Sequence, residues 1–186
     1  MTGRRRPAWL VDAESVDVAV YAAVAATPTP SLDRGMNALS RAADRSGLWI
    51  AAAVTLAAAR GSDGRRAAVN GLASTALASA FVNAVAKPLA RRGRPDPVAL
   101  RVPLARQVPM PTSRSLPSGH SASAFAFATG AGHALRVEGA ALRGLAALVA
   151  YSRIHTGVHF PADVVLGSLI GTVCAQAATH ALDSRR

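Results

Sequence analysis

Five apolar stretches, roughly residues 47–59, 67–86, 118–135, 139–151 and 162–182, constrain this chain more than any other feature. A helix that crosses a bilayer needs about 20 apolar residues. The second and fifth stretches reach that length. The first, third and fourth are shorter and would extend into flanking polar residues or sit where the bilayer thins. Arg143 interrupts the fourth. The connections 60–66 and 136–138 are short, which favours antiparallel neighbours. The pattern predicts an all-α, up-and-down membrane helical bundle with about five apolar helices. Hydrophobic residues make up 51% of the chain but aromatics only 4%, so the apolar surface is mostly Ala, Val and Leu. Small side chains of this kind let helices approach closely within a membrane. A soluble Ala-rich bundle has the same composition and is the competing architecture.

Ahead of the bundle, Val16, Val20 and Val24 recur at helical spacing up to the stop at Thr27-Pro28-Thr29-Pro30. A second stripe, Leu32, Met36, Leu39 and Ala43, faces away from Arg34, Arg41 and Arg45. This amphipathic pair suits a membrane surface, with packing on a soluble core as the alternative. The 186 residues make one domain: an interfacial segment over 1–45 and a catalytic bundle over 46–182. Arg4, Arg5 and Arg6 followed by the apolar run 18–26 resemble a leader peptide. Asp12, Glu14 and Asp17 lie where such a leader should be apolar, so cleavage is not expected. The net charge of +11 suits an anionic membrane or substrate better than nucleic acid, because aromatics are not interleaved with the arginines. Arginines that flank apolar segments also set membrane topology. The single cysteine, Cys174, lies in the last apolar stretch and reads as a small core residue.

One connection departs from the rest. Residues 87–117 are polar and rich in Arg and Pro, too long for a simple turn, and loops of that length are usually functional or disordered. Three motifs adjoin helix ends. Lys87 is followed, six residues on, by Arg94-Pro95. Pro117-Ser118-Gly119-His120 opens the third apolar stretch. Ser152-Arg153, His159 and Asp163 run from the fourth into the fifth. In an up-and-down bundle all three motifs meet on one face.

That face collects three cations and two histidines, a set suited to phosphate transfer. Arginine offers a planar fork to phosphate oxygens and lysine a point charge. The helix start at Ser118-Gly119 offers free N–H groups to an anion, and Gly119 lets backbone come close. His159 can attack phosphorus only as neutral imidazole, and Asp163 can fix the tautomer by accepting from its other nitrogen. His120 can protonate the leaving oxygen and later deprotonate a water. The cations already offset the phosphate charge, so neither metal nor cofactor is called for. Acidic residues are also too few for a two-metal site, with Asp96 and Asp163 the only carboxylates on that face after the second stretch.

The three motifs, complete and in order, resemble the signature of the type 2 phosphatidic acid phosphatases, whose site vanadium-dependent haloperoxidases share. The resemblance runs from about Leu32 to Leu182 and looks closest to the phosphatase module that some actinobacterial proteins carry before a lipid kinase domain. It implies phosphate binding by Lys87, Arg94, Ser118, Gly119 and Arg153, with His120 as acid, His159 as nucleophile and Asp163 as its orienting carboxylate. It also implies a multi-pass protein of a bacterial cell membrane acting on a lipid phosphate monoester or diphosphate. The family's first helix would be replaced here by the amphipathic pair. The same-site alternative is a vanadate-dependent haloperoxidase, and a lipid-binding relative without activity is a second alternative. The Arg excess places the active face in the cytoplasm.

Other residues read more plainly. His155 and His159 are four apart, but Gly157 and Pro161 rule out the continuous helix that a zinc pair would need. His155 lies close enough for a supporting role, whereas His133 and His180 carry no motif. Arg91, Arg92, Arg101, Arg106 and Arg114 read as a solvated charge run, with attraction of anionic lipid as the alternative.

Overall fold

The computed structural model describes residues 7–90 and 92–185; Arg4 to Arg6 and Arg91 lie outside the described residues. The described residues are helical or irregular, without a strand. Two helices, α1 (Ala8–Ala26) and α2 (Pro30–Ala42), lead through a 3-10 turn (Asp44–Ser46) into α3 (Gly47–Ala59). Helix α4 (Gly61–Phe81) continues through a π-helical turn (Val82–Ala86) and one further turn (Lys87–Leu89). The long connection follows, with a 3-10 turn at Leu104–Arg106. Then come α5 (Gly119–Ala134), α6 (Arg136–His155) and α7 (Pro161–Asp183).

Helix α5 is the hub, packed against α4, α6 and α7, while α3 packs on α4 and α2 on α6. Pro30 and Pro161 stand at the first turns of α2 and α7, where a missing N–H costs nothing. Asp33 and Asp163 lie in those same turns, where the helix dipole favours an anion.

Two connections are shorter than the sequence pattern suggests. Helix α4 starts at Gly61 rather than near 67, leaving little more than Arg60 as the linker. Asp63 suits its first turn, and Arg65 and Arg66 are exposed, so the polar stretch extends the helix beyond its apolar part. Helix α6 likewise begins at Arg136, with Leu135 alone between it and α5. Its last turn carries Arg153, and Arg143 is exposed on its outer side.

Among the described residues, two helices are long and apolar enough to cross a membrane: the rod Gly61–Leu89 and Pro161–Asp183. Only 39% of the apolar window of each is buried, unlike a helix at the centre of a soluble core. On α7 the inward positions are Gly167, Gly171, Ala175 and Ala178, whereas Val165, Leu166, Leu169 and Val173 face outward. On α4, Gly71, Ser74, Thr75 and Ala78 turn inward and Val69, Leu72, Leu77 and Phe81 outward. Large apolar groups outside and small or hydroxylated ones inside is the arrangement expected in lipid, where packing and hydrogen bonds hold helices together.

The valines of α1 do not form its packing face. Val16, Val18 and Val20 are exposed, and Asp17, Tyr21 and Ala25 are buried instead. The polar Asp17 is buried because it caps another helix: its Oδ1 accepts from Ala162 N at 2.8 Å, at the start of α7. Tyr21 Oη donates to Gly157 O at 3.0 Å. Helices α1 and α2 therefore sit on the end of the bundle that carries the three motifs.

Close helix approach fixes that end. A Cβ on Gly167 would fall 2.4 Å from Ser118 O, and one on Gly171 would fall 2.2 Å from Ala122 O. Neither space admits a methyl group without pushing α7 off α5. Gly144 has open space around it. Gly171→Ala is expected to lower the thermal midpoint in detergent by overpacking, a cost of about 1–3 kcal/mol. Gly144→Ala should raise it through helix propensity, by up to about 1 kcal/mol. Equal midpoints for the two variants would show that α5 and α7 are not in contact there.

Candidate active site

Asp163 is fully buried in the first turn of α7 and joins the three motifs. Its Oδ2 accepts from Phe160 N at 2.9 Å and from the Ser115 hydroxyl, and lies 3.4 Å from His159 Nδ1. Its Oδ1 accepts from Arg92 Nη1 at 3.2 Å. Its backbone oxygen accepts from Ser118 N at 2.9 Å.

His159 precedes α7 in the turn left by Gly157, whose φ of 78° lies in the left-handed region. Its Nε2 is 3.1 Å from Arg94 Nη1. Arginine only donates, so Nε2 must accept, and the ring proton belongs on Nδ1, facing Asp163. Burial above all, aided by the charges of Arg94 and Arg153, pushes the His159 pKa down to about 4 against the pull of Asp163. The imidazole is therefore neutral at pH 7, with its lone pair on Nε2.

Arg94 is held by backbone acceptors. Its Nε donates to Ser113 O and its Nη1 to Val158 O, both at 2.8 Å. Ser113 Oγ accepts from Arg94 Nη2 at 3.2 Å and from Lys87 Nζ at 3.1 Å, so one hydroxyl sets the spacing of two cations. Lys87 also donates to Asn83 Oδ1 at 3.3 Å, one helical turn back.

Ser118 caps α5. Its Oγ accepts from Ser121 N at 3.4 Å and from Ser121 Oγ at 3.0 Å. With its own N–H given to Asp163, the N-terminal donors of α5 left for an anion are those of Gly119 and His120. Both residues line a cavity of about 170 Å³ with Lys87, Asn83, Arg45 and Ser46.

Arg153, at the last turn of α6, is only 2% exposed. Its Nη1 donates to the Ser40 side chain, and its buried Nε has no hydrogen-bond partner among the described residues. A buried unsatisfied donor is uncommon and calls for an explanation, such as a ligand oxygen. Asp44 joins this group: its Oδ1 is 2.8 Å from His120 Nε2 and 3.9 Å from Arg153 Nη1.

The structure thus puts Arg94, His159 and Asp163 in direct contact, ties Lys87 to them through Ser113, and sets Gly119 and His120 beside Lys87. Sequence reasoning missed Asp44, Arg92, Ser113 and Ser115. The two serines lie in the long connection, whose length and composition already marked it as functional. Arg92 and Arg106 do not belong to a solvated charge run. Arg92 bridges Asp163 and Asp17 and lies 4.2 Å from the Phe160 ring centroid. Arg106, 1% exposed, donates to Asp33 Oδ1 at 2.8 Å and to Thr27 O at 2.6 Å. Desolvated carboxylates at Asp17 and Asp33 draw these two arginines inward, whereas Arg101 and Arg114 are exposed. His155 is buried with Nε2 at 3.0 Å from Asp33 Oδ1, so it braces α2 rather than pairing with His159. His133 pairs with Asp183 at 2.8 Å.

An all-helical bundle with histidines and cations gathered at one end is the build of a phosphate-transfer enzyme. The PAP2 superfamily model matches residues 68–186, and the chain belongs to that family. It is 36% identical over 155 residues to the decaprenylphosphoryl-5-phosphoribose phosphatase of Mycolicibacterium smegmatis, covering 83% of this chain and 80% of that one. The crystal structure of Aquifex aeolicus LpxE superposes with a TM-score of 0.71 at 27% identity, over 88% of this chain and 94% of that one. The transmembrane PAP2-type phosphatidylglycerolphosphate phosphatase of Bacillus subtilis also gives 0.71, at 22% identity, over 94% of this chain and 88% of that one, a likeness of fold. The chain is a PAP2-type phosphatase, a phosphoric monoester hydrolase.

The His159 ring gives a direct check. In ¹⁵N NMR of the ligand-free protein it is expected to stay the neutral Nδ1–H tautomer from pH 7 down to about 4. A midpoint near the ordinary 6.5, or the opposite tautomer, would contradict its placement between Arg94 and Asp163.

Proposed function

We propose that the protein hydrolyses a lipid phosphate monoester or diphosphate through a phosphohistidine on His159, without a metal. The observation that carries this reading is the Nε2 lone pair of His159, which faces Arg94 while Nδ1 faces Asp163. The substrate phosphoryl group sits among Lys87, Arg94, Arg153 and the N–H groups of Gly119 and His120. Its oxygens take up the unpartnered Nε of Arg153 and draw Arg94 Nη1 away from His159.

His159 Nε2 attacks phosphorus as the bond to the leaving oxygen breaks. Asp163 holds the Nδ1 proton and stabilises the charge that develops on the ring. His120, neutral in the ligand-free protein with its pKa pushed down to about 4 by burial and by Arg153, takes up a proton as the phosphate anion enters and passes it to the leaving oxygen, so the lipid departs as an alcohol or, from a diphosphate, as the monophosphate. Neutral His120 then takes a proton from water, and the hydroxide displaces His159 from phosphorus. Phosphate leaves, and both histidines return to their starting states. The three cations stabilise the charge that builds on the equatorial oxygens in each half-reaction.

The outward apolar faces of α4 and α7 support a lipid substrate, because they hold the motif-bearing helix ends near the membrane surface. An anchored lipid is presented there at high local concentration. Polyprenyl phosphosugar phosphates, phosphatidic acid, phosphatidylglycerophosphate and polyprenyl diphosphates all offer a suitable headgroup. The exposed Arg34, Arg41, Arg101 and Arg114 in the segments that bear or cover the site support a cytoplasmic active face. In this reading α3, α5 and α6 cross the bilayer with the two longer helices.

His159→Ala should abolish turnover with the fold intact, and rapid quenching with a ³²P-labelled substrate should trap acid-labile label on wild type only. Labelled His159→Ala protein would sink the assignment. Arg94→Ala and Arg153→Ala should each lower kcat/KM by on the order of 10²–10³, with lysine restoring only part. Assayed in detergent micelles, a long-chain phosphatidic acid and a polyprenyl phosphosugar phosphate should outperform glycerol 3-phosphate in kcat/KM. A preference for the soluble phosphate would overturn the lipid reading and leave the mechanism standing.

A further inference from the structure

The general acid assigned above has a carboxylate partner of its own, from a segment outside the three motifs. Asp44 stands in the 3-10 turn between α2 and α3, with Oδ1 2.8 Å from His120 Nε2. The next two residues, Arg45 at φ 52° and Ser46 at φ 61°, take the left-handed conformation that side chains disfavour. Such strain persists only where surrounding structure demands it. Ala43, Arg45 and Ser46 line the same cavity as Lys87, Gly119 and His120, so this turn forms one wall of the cavity.

We propose that Asp44 is a positioning residue for proton transfer: it holds His120 by Nε2 and leaves Nδ1 to meet the leaving oxygen. The inference rests on reading His120 as the acid. The carboxylate keeps the Nε2 proton in place, so the proton His120 gives up and regains is the one on Nδ1. It also opposes burial and the charges of Arg153 and Lys87, which together still push the His120 pKa down to about 4 in the ligand-free protein, so that losing Asp44 would disfavour imidazolium further. Each catalytic histidine then has an aspartate on the nitrogen that faces away from phosphorus: Asp163 on His159 Nδ1 and Asp44 on His120 Nε2. Asp44 is 55% exposed, so changing it leaves the bundle's packing intact.

Leaving-group dependence tests the assignment. An alkoxide needs a proton as it departs, whereas p-nitrophenolate does not. Asp44→Asn should lower kcat on dioctanoyl phosphatidic acid by on the order of 10²-fold with little change in KM. Its loss on p-nitrophenyl phosphate should be far smaller, and Asp44→Glu should recover part of the first loss. Asp44→Asn added to His120→Ala should cost nothing further. Equal losses on the two substrates would assign Asp44 to phosphate binding or folding and overturn the proposal. A rise in kcat/KM would mean that the carboxylate occupies the phosphate's place, which also overturns it. If His120→Ala itself shows no leaving-group dependence, the acid assignment fails and the Asp44 proposal falls with it.

Discussion

The carboxyl group of Asp163 is the point on which the rest of the active end depends. It is wholly buried, and it accepts from Phe160 N, Ser115 and Arg92 while facing His159. A buried anion is tolerated only when donors surround it. Meeting that demand draws in the turn before α7, the end of the long connection and the segment that carries Arg92. The backbone oxygen of the same residue fixes Ser118 N and thereby the start of α5. One desolvated group thus aligns two helix starts and the imidazole between them. The close approach at Gly167 lets this happen, since α7 could not otherwise lie against Ser118.

The N-terminal helices repeat that logic twice, with Asp17 and Asp33, and the turn after them adds an exposed carboxylate, Asp44. Asp17 meets Arg92 and caps α7, Asp33 meets Arg106 and His155, and Asp44 meets His120 and lies near Arg153. Burial alone would push the Asp33 carboxyl up, but the hydrogen bond from Thr29 and the charge of Arg106 hold it below its usual range. These contacts fasten a segment with little apolar burial of its own. They also give the long connection a fixed course, because Arg106 and Gln107 are held by α1 and α2 through Val24 O, Thr27 O and Asn37. The positions of Ser113 and Arg94, and with them the seat for phosphate, depend on that course.

The helices were legible in the sequence because apolar runs and proline stops report local structure. Motif positions at helix ends were legible because an up-and-down bundle alternates its ends. What stayed hidden depends on contacts between segments far apart in the chain. Asp17, Asp33 and Asp44 are polar positions without a motif around them, and only their partners on α5, α6, α7 and the long connection give them a role. Asp44 did leave a trace. It precedes α3, and α3 starts on the face where α4 ends, so the alternation that gathered Lys87 and His120 also covers Asp44. It lies ahead of the second apolar stretch, outside the part of the chain whose carboxylates were expected on that face. The reach of α4 back to Gly61 was obscured for another reason: apolar periodicity marks the part of a helix that meets lipid or core, and its polar end carries no such mark.

The inverted distribution of side chains explains why such a site sits at a helix end. Inside the bundle α4, α5, α6 and α7 meet through Gly, Ala, Ser and Thr, and large aromatic contact there is limited to Trp49 with Phe127, at 5.4 Å among the described residues. Small residues make a tight bundle, and in the proposed reading the lipid chain stays outside it while the phosphate meets the helix ends. In that reading the phosphate reaches the protein where the three motifs stand. The cations there lie against a poorly polarisable interior, and in the proposed reaction their pull on a developing phosphate charge is screened less than it would be in open water. A site of this kind needs fixed cations more than a deep pocket. The hydrogen bonds that Lys87, Arg94 and Arg153 donate to Ser113, Val158 and Ser40 provide that fixity.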